Sequence, residues 1–184
     1  DVVALSNKSY CIGVNKFDRN FAGMNFDFLF QKDEKLTELY NKYGNIGNIE
    51  LPEVYNKLWN EINLPIQEKK LDENGINSLK KRKNILEKLK KRAYYLTRIA
   101  EVYDCKNILE IGTAEGWQFF SFGEYAKEKN GQVFSCDPRD VRNKKYTSIY
   151  DGTCHYFQNT SKFLGETSQV PEIDLFYIDG LHDK

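Results

Sequence analysis

A chain of 184 residues, 40% hydrophobic and 29% charged, can bury the core of one domain, with or without an extension. Lys plus Arg and Asp plus Glu both total 27, so the charge balance gives no general attraction to nucleic acid or to an anionic membrane. No run approaches the roughly 20 apolar residues of a membrane helix, and no basic-then-apolar leader opens the chain, which points to the cytoplasm. Cys11, Cys105, Cys136 and Cys154 are scattered without a C-x-x-C pair and predict small buried thiols rather than a disulfide or zinc framework. The first residue is Asp1 rather than Met, as expected of a fragment or a processed product.

Residues 1–35 carry Phe17, Phe21, Phe26, Phe28 and Phe30 without a clear period and predict an irregular lead-in, with weak strand character at Tyr10 to Val14. A helical extension is expected over 36–103. Its first helix places Leu36, Leu39, Tyr40 and Tyr43 on one face and stops at Gly44-Asn45-Ile46-Gly47. A second helix follows Pro52, with Val54, Tyr55, Leu58, Trp59 and Ile62 in register. The third, about Ser78 to Tyr103, repeats Leu79, Leu86, Leu89, Ala93, Leu96 and Ala100 at three, four or seven residues. Lys80, Lys81, Arg82, Lys83, Lys88, Lys90, Lys91 and Arg92 lie between them and read as a solvated face, or as a patch for a phosphate-rich partner.

After Tyr103 the pattern alternates. Strand 107–111, helix 117–129 with Asn130-Gly131 as its stop, strand 132–136, strand 154–158, a short helix at 160–165 and strand 173–178 make βαβ units and hence a parallel sheet. The fold class is therefore α/β, with residues 104–184 as a ligand-binding Rossmann-like domain behind a mostly helical extension. Four strands precede Lys184, so the sheet reads as truncated after the fourth. One edge of that strand then needs cover from a continuing chain, from residues 1–35 or from a second subunit in a homo-oligomer.

The chemistry gathers at strand ends. Gly112 and Gly116 let the backbone turn tightly after strand 107–111, and the helix that follows offers its unpaired N–H groups. A dinucleotide loop G-x-G-x-x-G would need glycines at 114 and 117, where this chain has Ala114 and Trp117. Asp137, 21 residues after Gly116 at the end of strand 132–136, can accept two hydrogen bonds from ribose hydroxyls.

This spacing resembles the first motif of class I S-adenosylmethionine-dependent methyltransferases, in which an acid precedes G-x-G-x-G by one residue. Glu110 matches the acid and Gly112, Ala114 and Gly116 the loop, with alanine at the middle glycine. The resemblance implies that Glu110, Gly112, Thr113, Ala114 and Gly116 hold the methionine part of S-adenosylmethionine and Asp137 its ribose. Pro138 would lie beside the adenine and Thr160 or Ser161 at its edge.

Asp179-Gly180-Leu181-His182 is similar to the fourth-strand end of metal-assisted O-methyltransferases that act on small molecules and sugars. The likeness implies Asp179 as an oxygen ligand to Mg²⁺ and His182 as general base toward an acceptor hydroxyl. Leu39 to Gly44 and Val54 to Leu58 look like the lead segment of sugar O-methyltransferases, with Asn45-Ile46-Gly47 where those carry an acid-lysine pair. The expected function is methyl transfer to a small-molecule or sugar oxygen. Its rivals are an RNA methyltransferase using the basic helix 80–92, and a non-catalytic interaction module.

Overall fold

A computed structural model describes residues 2–5, 11–13, 34–43, 49–63 and 73–179. Strands β1 (Val2–Leu5) and β2 (Cys11–Gly13) come first, then helices α1 (Glu34–Tyr43), α2 (Glu53–Asn63) and α3 (Glu73–Val102). Strand β3 (Asn107–Ile111), helix α4 (Trp117–Lys129), β4 (Gln132–Cys136), α5 (Lys144–Ile149), β5 (Cys154–Phe157), α6 (Ser161–Glu166) and β6 (Leu175–Ile178) follow. Phe17, Phe21, Phe26, Phe28, Phe30 and His182 lie outside the described residues.

One sheet holds all six strands in the order β2-β1-β6-β3-β4-β5. β6, β3, β4 and β5 run parallel, in the Rossmann-like arrangement that the alternating pattern predicts. The edge of β6 that would otherwise stand open is taken by β1, which pairs antiparallel with it from Val2 opposite Ile178 to Leu5 opposite Leu175. β2 pairs antiparallel with β1 in turn. β1 thus lies where the sequence shows no clear period, whereas β2 falls within the stretch Tyr10 to Val14 that carries weak strand character. Of the three sources of cover for that edge, residues 1–35 supply it.

The two faces of the sheet are packed by different means. On one, α3 and α4 bring Leu96, Ile99, Phe119, Phe120 and Phe122 against Ile108, Val133 and Leu175, each with no exposed surface. Burying a side chain of that size stabilises by about 1.5–3 kcal/mol before entropy is counted. On the other, Leu109, Phe134 and Ile173 form a smaller cluster with Phe157, Leu164 and Phe176. His155 stacks on Phe134 there, centroids 4.9 Å apart.

Local chemistry explains the element ends. α4 stops where Asn130 turns left-handed (φ 52°) and both it and Gly131 return their N–H groups to Ala126. Gly131 has no room for a side chain, since a Cβ there would lie 2.4 Å from the Lys106 carbonyl oxygen. β6 begins at Leu175 rather than 173 because Asp174 turns its carboxylate to the N–H groups of Lys106 and Asn107, both at 2.9 Å, tying it to the start of β3.

Cys105 and Cys136 are buried and free, and burial pushes their thiols up to about 12 and about 11. Neither is a ready thiolate. Among the described residues no helix is long and apolar enough to cross a membrane.

Candidate active site

The loop after β3 is built from left-handed residues: Gly112 (φ 96°), Ala114 (φ 45°) and Gly116 (φ 91°). Gly116 is the N-cap of α4 and donates to the Thr113 carbonyl at 2.8 Å, closing a tight turn. A Cβ at Gly116 would meet the Phe120 ring at 2.5 Å, so glycine is required twice over, by its backbone angle and by its neighbour.

Glu110 sits under this loop, 1% exposed, and accepts from Ser135 Oγ at 3.1 Å. The Ser135 and Thr113 hydroxyl oxygens are in turn 2.6 Å apart, a hydrogen bond that joins Glu110 to the loop. Burial raises the Glu110 carboxyl well above its ordinary range. The Ser135 bond and Arg92 pull the other way, and Asp179 and Asp137 add to the rise. Glu110 is closed off from solvent and braces the loop through Ser135 and Thr113.

Asp137 connects two strand ends. Its Oδ2 accepts the Ala114 N–H at 3.1 Å and its Oδ1 the Arg139 N–H at 2.9 Å, so it caps its own turn while reaching across to the glycine loop. The segment behind it is held firmly. Tyr156 donates to the Asp137 carbonyl at 2.7 Å, and the Arg142 guanidinium lies 3.6 Å over the Tyr156 ring while pairing two-pronged with Asp140. That pairing holds the Asp140 carboxyl below its usual range. Pro138 is exposed, and Gln158 reaches its carbonyl at 3.5 Å. Thr160 and Ser161 are exposed at the start of α6, where the Thr160 N–H binds Asn159 Oδ1 at 2.8 Å.

Asp179 follows β6 and donates its N–H to the Ile111 carbonyl at 2.8 Å, beside Gly112. Its Oδ2 accepts from the Tyr177 hydroxyl at 3.0 Å and from Arg92 Nη2 at 3.4 Å. Among the described residues no group of three or more ligating side chains surrounds it that could hold a metal ion.

Arg92, Tyr177, Ser135 and Tyr156 were not legible as site residues. Arg92 lies in the basic run of α3, yet its side chain is 14% exposed and turned to the strand ends. Lys90, 5% exposed, pairs with Glu87 at 2.5 Å and with Asn60 Oδ1 at 3.3 Å. These two do not belong to a solvated face. The side chains of Lys80, Lys81, Arg82, Lys83 and Lys88 lie outside the described residues. A signal was present in the sequence: Lys90 and Arg92 flank Leu89 and Ala93, which belong to the buried stripe.

Residues 109–184 match a family described as a methyltransferase domain. Among solved structures, the S-adenosylhomocysteine-bound Podospora anserina methyltransferase PaMTH1 aligns at 12% identity with a TM-score of 0.51, over 80% of this chain and 58% of that one. A proposed O-methyltransferase from Klebsiella pneumoniae aligns at 16% identity with a TM-score of 0.48, over 82% of this chain and 61% of that one. The chain thus spans about three-fifths of the length of these structures. No curated protein matches it. With the left-handed loop, the acid after β4 and the parallel strand order, the match over 109–184 gives this chain a class I S-adenosylmethionine-dependent methyltransferase-like fold.

Proposed function

We propose that the chain binds S-adenosylmethionine along the carboxyl edge of β4, β3 and β6 and takes part in transfer of its methyl group to an oxygen of a small molecule or sugar. The observation that carries this reading is the bond from Ala114 N–H to Asp137 Oδ2, which sets a carboxylate for a ribose beside a loop of left-handed residues. The donor, when bound, supplies an electrophilic methyl on a positively charged sulfur. What the chain must do is align and exclude water.

Asp137 suits the ribose because the Tyr156 and Arg142 contacts hold its backbone in place before any ligand arrives. Gly112, Thr113, Ala114 and Gly116 offer close backbone approach to the methionine part, with Glu110 supporting them from below. Pro138 would lie beside the adenine, with Thr160 or Ser161 at its edge. Asp179 stands at the reacting end.

The oxygen acceptor and the base role of His182 rest on the D-G-x-H spacing of Asp179 and His182 and on the chemistry a hydroxyl requires: its proton must leave as the new C–O bond forms and the C–S bond breaks. Mg²⁺ assistance has that spacing alone in its favour. A panel of acceptors bearing hydroxyl groups, amino groups or both, with a labelled methyl donor and run with and without chelator, tests both points. Full activity in chelator removes the metal, and labelled amines in place of ethers remove the oxygen acceptor.

Binding is tested first. Isothermal titration with S-adenosylhomocysteine should show saturable binding that Asp137→Ala weakens at least about 10-fold. Equal affinity in the variant would remove the ribose role, and no binding to the parent chain would overturn the reading.

A further inference from the structure

We propose that Glu61, on helix α2 of the extension, is a positioning residue for the donor pocket: it holds the Tyr146 hydroxyl and, through the Tyr146 and Phe120 rings, sets the glycine loop against the turn that carries Asp137. This rests on the donor-binding reading above and brings the helical extension into that site.

Each wall of the pocket has a helix behind it. Gly116 opens α4, and the turn after Asp137 runs on to Asn143, the N-cap of α5. The walls meet directly through Asp137 and Ala114, and through the Asn143 N–H and the Glu115 carbonyl at 3.3 Å. α2 touches the first turn of both helices. Trp59 donates from Nε1 to Ser121 Oγ at 3.0 Å and its ring packs on Trp117 at 5.2 Å, while Ser121 Oγ donates to the Trp117 carbonyl at 2.7 Å. Further along α2, Glu61 Oε2 accepts from Lys145 Nζ and, at 3.1 Å, from the Tyr146 hydroxyl.

Of the two donors on Glu61, Tyr146 is the one that reaches the loop. The Lys145 side chain is 63% exposed, and an exposed ion pair holds two segments only weakly. Tyr146 is 5% exposed and its hydroxyl donates to a charged acceptor, the stronger kind of hydrogen bond. Burial and the neighbouring Glu61 charge push the phenol's ionisation above its ordinary range, which keeps it a donor. From the Tyr146 ring the contact is continuous. Its centroid lies 5.7 Å from that of Phe120, and the Phe120 ring lies 2.5 Å from where a Cβ on Gly116 would fall. Phe120 is fully buried, so a shift of Tyr146 passes on to Gly116 instead of being absorbed by empty space.

Isothermal titration with S-adenosylhomocysteine, on variants that circular dichroism shows to be folded, tests this beside urea unfolding of the same variants. Glu61→Ala should weaken binding about 3- to 30-fold. Glu61→Gln keeps an acceptor for the Tyr146 hydroxyl and should stay within about 2-fold of the parent, as should Lys145→Met. Tyr146→Phe keeps the ring, loses the link and should weaken binding by a factor like that of Glu61→Ala, which covers the case of an alanine variant that does not fold. The double variant should lose no more than the larger single loss, since both changes cut one path. A contact that served stability alone would lower the urea midpoint and leave affinity unchanged. Unchanged affinity in Glu61→Ala or in Tyr146→Phe, or losses that multiply in the double variant, overturn the assignment while leaving donor binding standing. If the parent chain binds no S-adenosylhomocysteine, the donor-binding reading fails and the role of Glu61 falls with it.

Discussion

Asp137 at the end of β4 holds the backbone N–H of Ala114 at 3.1 Å, so the acid after one strand braces the loop after its neighbour. Ala114 accepts this bond's geometry with φ at 45°, a left-handed conformation that its Cβ disfavours. Ala114→Gly removes that strain and adds chain entropy to the unfolded state, and the first effect is the larger where the native φ is positive. The variant should be more stable by up to about 1 kcal/mol, read as a higher urea midpoint at unchanged slope. A lower midpoint would show the alanine to be unstrained.

Gly116 has the opposite expectation. Adding a methyl group there forces a left-handed alanine and drives its Cβ to 2.5 Å from Phe120 Cε2, in a ring that is fully buried. Phe120 cannot swing away cheaply, since it is stacked with Tyr150 at 5.6 Å and packed on Tyr146. Gly116→Ala should cost about 2 kcal/mol or more, measured by denaturant unfolding. A loss under half of that would mean that the loop has a second conformation available.

Much of this was legible because it is local. The apolar runs 107–111 and 132–136, the Asn130-Gly131 stop and the acid at 137 each sit inside a short window whose pattern has one physical solution. Val2–Leu5 was not, because its strand state depends on pairing with β6, whose Leu175–Ile178 lie far along the chain. Arg92 and Lys90 were misread for a related reason. On a long helix the direction of a charged side chain is set by what packs beside it, and here the strand ends and α2 draw both inward.

Tyr125 offers a test of how the extension is fastened to the sheet. Its hydroxyl, on α4, lies 3.0 Å from the Ala100 carbonyl at the end of α3 and 2.9 Å from the Cys105 carbonyl just before β3. One proton is shared between two buried acceptors, and burial pushes the phenol's ionisation above its ordinary range, keeping it a donor. Tyr125→Phe keeps the ring and removes the donor. The expected cost is about 1–2 kcal/mol, seen as a lowered melting midpoint. No change would mean that water or a neighbouring group satisfies both carbonyls.

Glu110 gives the clearest pH signature. Its carboxyl titrates well above 4.5 in the folded chain, chiefly from burial, whereas unfolded it titrates near 4.5. The folded state therefore holds this proton more tightly. Glu110 contributes its full share of stability below pH 4.5 and loses it as pH rises from there through the folded value. Glu110→Gln preserves shape and the acceptor for Ser135 Oγ while removing the ionisation. Its stability relative to the parent should be nearly level in acid and should grow steadily more favourable toward neutral pH, in paired urea titrations at several pH values. A gap that stays constant across that range would show that Glu110 ionises alike in the folded and unfolded chains.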